Sequence, residues 1–118
     1  MAVVVAGSQI NKGSGEETVQ WVGLANGDTG SPVFVRDGFE PKSMQVTGTF
    51  GSGGSVACEG SNDGAAYAAL DDPAGTTIAV TAAGVAGIGV DVLAIRPHVT
   101  AGDGTTALTV TILLRARR

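Results

Sequence analysis

Ala107-Leu108-Thr109-Val110-Thr111-Ile112-Leu113-Leu114-Arg115 alternates apolar and polar side chains with a period of two, the pattern of a β-strand with one buried face. Leu108, Val110, Ile112 and Leu114 fall on one side, Thr109, Thr111 and Arg115 on the other, and Leu113 breaks the alternation. An apolar residue on the polar side marks either a second contact surface or an edge of the core. Ser43-Met44-Gln45-Val46-Thr47-Gly48-Thr49-Phe50 repeats the pattern, with Met44, Val46 and Phe50 opposing Ser43, Gln45, Thr47 and Thr49. Strands of this kind build antiparallel sheets with one solvated face.

Working outward, weaker strands are expected at 18–24, 32–36, 55–60, 67–70, 76–81 and 90–99. The breaks carry turn chemistry: Asn26-Gly27-Asp28, Asp37-Gly38, Gly51-Ser52-Gly53-Gly54, Ser61-Asn62-Asp63-Gly64, Asp71-Asp72-Pro73 and Gly102-Asp103-Gly104. Gly and Asn tolerate positive φ, and Asp and Asn bond back to the local backbone. Short strands with a turn roughly every 10 residues predict an all-β chain, an antiparallel β-sandwich or jelly-roll-like small barrel with a short N-terminal arm. Residues 18–118 form one domain. Residues 1–17 read either as an arm that adds a strand to a neighbour, through Val3, Val4 and Val5, or as an edge strand of the chain's own sheet. Ala65-Ala66-Tyr67-Ala68-Ala69-Leu70 has good helix formers but is too short for a helix without tertiary support. The Ala/Gly-rich stretch 82–89 lacks a clear period and reads as a loop or helical turn.

Composition narrows the function. Of the 118 residues, 43% are hydrophobic, but Ala and Val dominate and the aromatics are one Trp, one Tyr and three Phe. Small side chains bury little area each, at roughly 25 cal/mol per Å², so contacts with partner chains would add useful burial. The core anchors expected are Trp21, Phe34, Phe50, Val46, Leu108, Val110 and Ile112. A net charge of −4 argues against a nucleic-acid surface. The longest apolar stretch, 78–90, falls short of the ~18 residues that span a bilayer. The start, Met1-Ala2-Val3-Val4-Val5-Ala6, lacks the basic region and apolar length of a signal peptide. Neither nucleic acid nor membrane is therefore expected as a partner. Three of the seven basic residues are Arg115, Arg117 and Arg118; this tail either reaches an acidic neighbour or is a plain exposed terminus.

Catalytic residue types are sparse. His98 is the single imidazole and reads as a surface or partly buried strand residue; one histidine and one cysteine supply too few of zinc's usual ligands. Cys58 is in phase with Val56 and reads as a small buried hydrophobe. Asn62-Asp63-Gly64 with Glu59 faintly resembles a calcium loop, but the oxygen spacing is wrong and a hairpin turn is the better reading. Trp21 reads as a buried anchor rather than a sugar-stacking platform. No enzyme activity, cofactor or metal is expected.

The segments Trp21-Val22-Gly23-Leu24-Ala25-Asn26-Gly27-Asp28-Thr29-Gly30, Gln45-Val46-Thr47-Gly48-Thr49-Phe50-Gly51, Glu59-Gly60-Ser61-Asn62-Asp63-Gly64 and Gly102-Asp103-Gly104-Thr105-Thr106-Ala107-Leu108-Thr109-Val110, taken in order, resemble a group of small tailed-bacteriophage structural proteins. The resemblance covers about residues 18–118. It implies a virion component, foremost a capsid decoration (cement) protein made in the host cytoplasm. Such a protein would sit on the outer capsid surface as a homo-oligomer, dimer or trimer, with the major capsid protein as partner. A tail or head-completion part is the related alternative, and a carbohydrate-binding β-sandwich is the alternative from another class. The residues expected at interfaces are Val3, Val4, Val5, Leu113, Arg115, Arg117 and Arg118. Deleting 1–16 is expected to weaken assembly more than folding.

Overall fold

The computed structural model describes residues 4–5, 7–12, 15–35 and 38–116. Among these, eleven strands form two sheets that face each other across one core. In chain order they are β1 (Val4–Val5), β2 (Gly7–Lys12), β3 (Glu16–Leu24), β4 (Thr29–Gly30), β5 (Val33–Phe34), β6 (Phe39–Thr49), β7 (Ser55–Ser61), β8 (Ala68–Ala69), β9 (Gly84–Gly87), β10 (Ala94–Ala101) and β11 (Ala107–Ala116). The first sheet runs β1-β4-β10-β7-β8, with β5 also paired to β10; the second runs β2-β3-β11-β6-β9. Every pairing is antiparallel except β1 with β4. The all-β two-sheet architecture is the one the alternation predicts.

The two stretches with the clearest period sit side by side in the second sheet. Strand β11 is its middle strand, and Val110 and Ile112 lie opposite Val46 and Met44 of β6 and opposite Trp21 and Val19 of β3. Cross-strand partners share a face, so this row builds the inner face. Trp21, Val46, Leu108, Val110 and Ile112 are buried there, as expected, and meet Val56, Cys58, Ile95 and Val99 from the first sheet. Phe50 is half-buried and packs against this core.

Trp21 is the keystone of the packing. Its indole Nε1–H donates to the Ser31 carbonyl at 3.1 Å, and the Gly7 N–H donates to Ser31 Oγ at 3.1 Å. The ring lies so close to two backbones that a Cβ on Gly7 would stand 2.7 Å from Nε1, and one on Gly30 would stand 2.7 Å from Cδ1. The small residues are needed because strands of both sheets close on one large ring.

Several expectations are corrected. Phe34 is 58% exposed rather than a core anchor. It lies on the two-residue strand β5 with its ring over Gly64 on the outside of the first sheet. The stretch 76–81 forms no strand; it touches its neighbours only through the bridges Val56–Val80 and Asp71–Thr77. The stretch 82–89, read as loop or helical turn, contains strand β9, because the edge of β6 from Ser43 to Val46 offers backbone partners to Gly84–Gly87. Position 65–70 holds the short strand β8 on β7.

The N-terminal segment contributes one strand to each sheet, β1 on β4 and β2 on β3. Deleting 1–16 would therefore strip a ladder from each and remove Gly7 from beside Trp21. The loss would fall on the fold itself, not first on assembly. Val3, Arg117 and Arg118 lie outside the described residues.

Candidate functional site

Charged side chains that meet in space gather on the outer face of the first sheet. In β10, Ile95, Pro97 and Val99 point into the core, so Arg96 and His98, out of phase with them, point away. In β7, Val56 and Cys58 point inward and Glu59 outward. The β7–β10 register sets Arg96 directly across from Glu59. Arg96 Nε donates to Glu59 Oε1 at 2.9 Å, and His98 Nδ1 lies 2.8 Å from Glu59 Oε2. A carboxylate accepts only, so this contact places a proton on Nδ1 and makes Nε2 the uncommitted ring nitrogen. One carboxylate, its side chain 14% exposed, thus holds two basic groups. Tyr67 completes the cluster, with the Arg96 guanidinium carbon 4.2 Å from its ring centroid, a cation–π geometry. The Tyr67 hydroxyl is buried and has no hydrogen-bond partner among the described residues.

The turn beside this cluster is self-contained. Asp63 Oδ1 accepts from the N–H groups of Ala65 and Ala66 at 2.9 Å each and from Ser61 Oγ at 2.8 Å. These bonds, that of Ala66 foremost, pull the Asp63 carboxyl down to about 2. Asn62 Oδ1 accepts from Leu93 N–H at 3.2 Å. The oxygens that a calcium reading would recruit are spent on the turn. Asp103 does similar work at the end of the sandwich. It accepts from the hydroxyl and N–H of Thr105 and from Ser52 N–H, and so joins the β6–β7 and β10–β11 connections. Its carboxyl is held at about 2, the Thr105 hydroxyl being the largest cause.

Cys58 sits one residue from Glu59 but on the opposite face. Burial, with the Glu59 charge adding to it, pushes its thiol up to about 12, so the nucleophilic thiolate is suppressed. Among the described residues no group of three or more His, Cys, Asp or Glu side chains could hold a metal ion. A shallow open hollow of about 180 Å³ is lined by residues 40–42 and 88–91, at one end of the second sheet.

The outer face of the second sheet is different in kind. Its rows read Thr47–Thr109, Gln45–Thr111–Gln20 with Val85 beyond Gln45, and Ser43–Leu113–Thr18. A bulge opposite Thr109 leaves Val22 on this side, 64% exposed, and Val85 is 65% exposed. Gln20 Nε2 donates to Thr111 Oγ1 at 3.2 Å. Charge enters only at the end of the strands, where Arg115 Nη2 meets Glu16 Oε2 at 3.4 Å and Lys42 pairs with Glu40 at 2.6 Å. Of the interface candidates, then, Leu113 lies within this uncharged face and Arg115 at its charged end, while Val4 and Val5 are backbone partners of Thr29 and Gly30 in the other sheet. The structure does not bring these candidates together as one patch.

Sequence reasoning saw His98 alone and Glu59 only as the neighbour of a turn. It passed over Arg96, and it weighed Tyr67 without linking it to Arg96. The available signal was phase: Arg96 and His98 alternate against Ile95, Pro97 and Val99, which marks an outward face. What faces them, across 37 and 39 residues of chain, depends on strand register.

No protein-family model matches the sequence, and no curated protein matches it. Among solved structures, the chain is similar to a cupin domain from Bordetella pertussis Tohama I, with a TM-score of 0.52 and 8% identity over 100% of this chain and 98% of that one. At that identity the likeness concerns the fold alone, and it agrees with two packed β-sheets of the jelly-roll kind.

Proposed function

We propose that this chain is a structural component of a tailed-phage virion that decorates and stabilises the outer capsid surface through oligomeric contacts at capsomer junctions. The observation that carries the reading is the filled interior. Trp21, Leu24, Met44, Ile95, Leu108, Ile112 and Leu114 occupy the space between the sheets and are all but inaccessible. A sandwich packed solid with side chains offers a ligand its outer faces rather than a cavity. The resemblance of four ordered segments to small phage structural proteins supplies the context. A stiff β-body with two broad faces can touch capsid subunits on one side and its own kind on another.

The test is direct. Purified chain added to undecorated, expanded shells should bind saturably and raise their resistance to heat or denaturant. Absence of binding to both expanded and mature shells sinks the reading; labelling confined to the tail or neck of particles moves the chain to a tail or head-completion role.

A second reading, carbohydrate binding, is favoured by one observation: the exposed Phe34 ring on the same outer face as Tyr67, Arg96, Glu59 and His98. An aromatic platform beside polar donors is what sugar rings require. Glycan-array binding abolished by Phe34→Ala would establish it, and an array without hits would remove it.

A further inference from the structure

We propose that the outer face of the second sheet is a self-association face, whose occupant is a second copy of this chain. The inference deepens the assembly reading and rests on it for its purpose, while the contact itself can be tested without shells. Two copies each carrying a net charge of −4 repel, so the surface through which they meet must not add like charges, which cost several kcal/mol when juxtaposed. The rows around Thr111 meet that condition, since no described side chain between Val22 and Leu113 on this face is charged. Their chemistry is also self-complementary. A two-fold contact sets each patch against its own copy; a carboxylate or ammonium then meets its like, whereas a hydroxyl or an amide is donor and acceptor at once. Gln20, Gln45 and Thr111 can therefore pair with themselves, and Val22, Val85 and Leu113 add apolar area at the margins.

Size sets the strength. Five strands span about 19 Å, and six residues along them about 20 Å, a footprint of roughly 400 Å². That is about half the ~800 Å² per partner of a standard interface, in the range of weak, reversible pairs. On a shell, where neighbours are held near one another, a high effective concentration would make such a weak contact permanent.

The test uses the whole chain in analytical ultracentrifugation from micromolar to millimolar concentration. Thr111 is the centre of the face, so the two copies bring it together. The wild type should show a concentration-dependent dimer; Thr111→Lys and Thr111→Glu should each weaken it at least tenfold, and an equimolar mixture of the two should restore it. Ala68→Lys, on the opposite sheet, should leave it unchanged, and all variants should keep the wild-type unfolding midpoint. A wild type that stays monomeric overturns the proposal, as does a dimer indifferent to both Thr111 variants. If the chain is monomeric and Thr111→Lys instead abolishes shell binding, the face belongs to the shell and self-association is rejected. If the dimer behaves as expected but neither form binds shells, self-association stands and the capsid reading falls.

Discussion

The two outer faces of this sandwich are built on the same inner core and solve the exposure of a sheet in opposite ways. The first sheet covers its middle with a charged, mutually bonded group, Glu59 with Arg96 and His98, under Tyr67. The second leaves its middle to Thr, Gln, Ser, Val and Leu and confines charge to the strand ends. Bonded charges fix one geometry and select what can approach; an uncharged hydroxyl and amide surface accepts a flat neighbour. The difference separates a face that is already satisfied from one that is available.

The comparison breaks completely if the shared interior fails, and the largest effect is expected there. Trp21→Ala should cost about 3–5 kcal/mol, as for other large-to-small core changes. Gly30→Val should also be strongly destabilising, because its Cβ would stand 2.6 Å from Pro97 and 2.7 Å from the indole. Urea unfolding should show both midpoints falling, with both faces lost together.

The charged face can be broken alone. Glu59→Gln removes the one acceptor that serves two basic groups and should lower stability by about 1–3 kcal/mol, the range for hydrogen bonds to charged groups. Resonances of Tyr67 and Phe34 should shift while those of Thr111 and Gln45 stay. Stability unchanged in urea, together with unmoved Tyr67 resonances, would refute the cluster's structural role.

A smaller, pH-dependent effect sharpens the contrast. The folded carboxyls of Asp63, on the turn of the charged face, and Asp103, at the rim joining both sheets, lie near 2 against an ordinary 3.8. Because they are depressed, their contribution is present above about pH 4 and is lost as pH falls towards 2. Asp63→Asn and Asp103→Asn should therefore unfold earlier than wild type at pH 6 and converge with it near pH 2. Equal differences at both pH values would show that the charge is irrelevant.

The smallest effect belongs to the uncharged face. Val22→Thr leaves the interior untouched and should alter stability by no more than about 0.5 kcal/mol, measured by chemical unfolding of dilute protein.

The legibility of these regions from sequence differed for a physical reason. The central strands β6 and β11 bury one side each, so burial writes a period of two into their residues. Strand β9 carries no such signal, because Gly84, Ala86 and Gly87 are strand-forming only where the β6 edge supplies partners. The opposite error arose at 76–81, whose Thr, Ile and Val suit a strand but find only isolated bridges. Phe34 was misassigned because an aromatic residue in a short apolar run is more often inside, and nothing local records that Gly64 would lie beneath its ring. The charged cluster was least legible: it exists only through the pairing of β7 with β10.

One last consequence follows from the indole held between glycines. Trp21 is the chain's sole tryptophan, and it is fully shielded, with Gly7 and Gly30 against its ring. The protein therefore carries its own optical gauge. Selectively excited, it should emit at short wavelength and resist acrylamide quenching while the sheets stay closed. Any parting of the sheets, in solution or on a particle, should register as a red shift from that one ring, with no label attached.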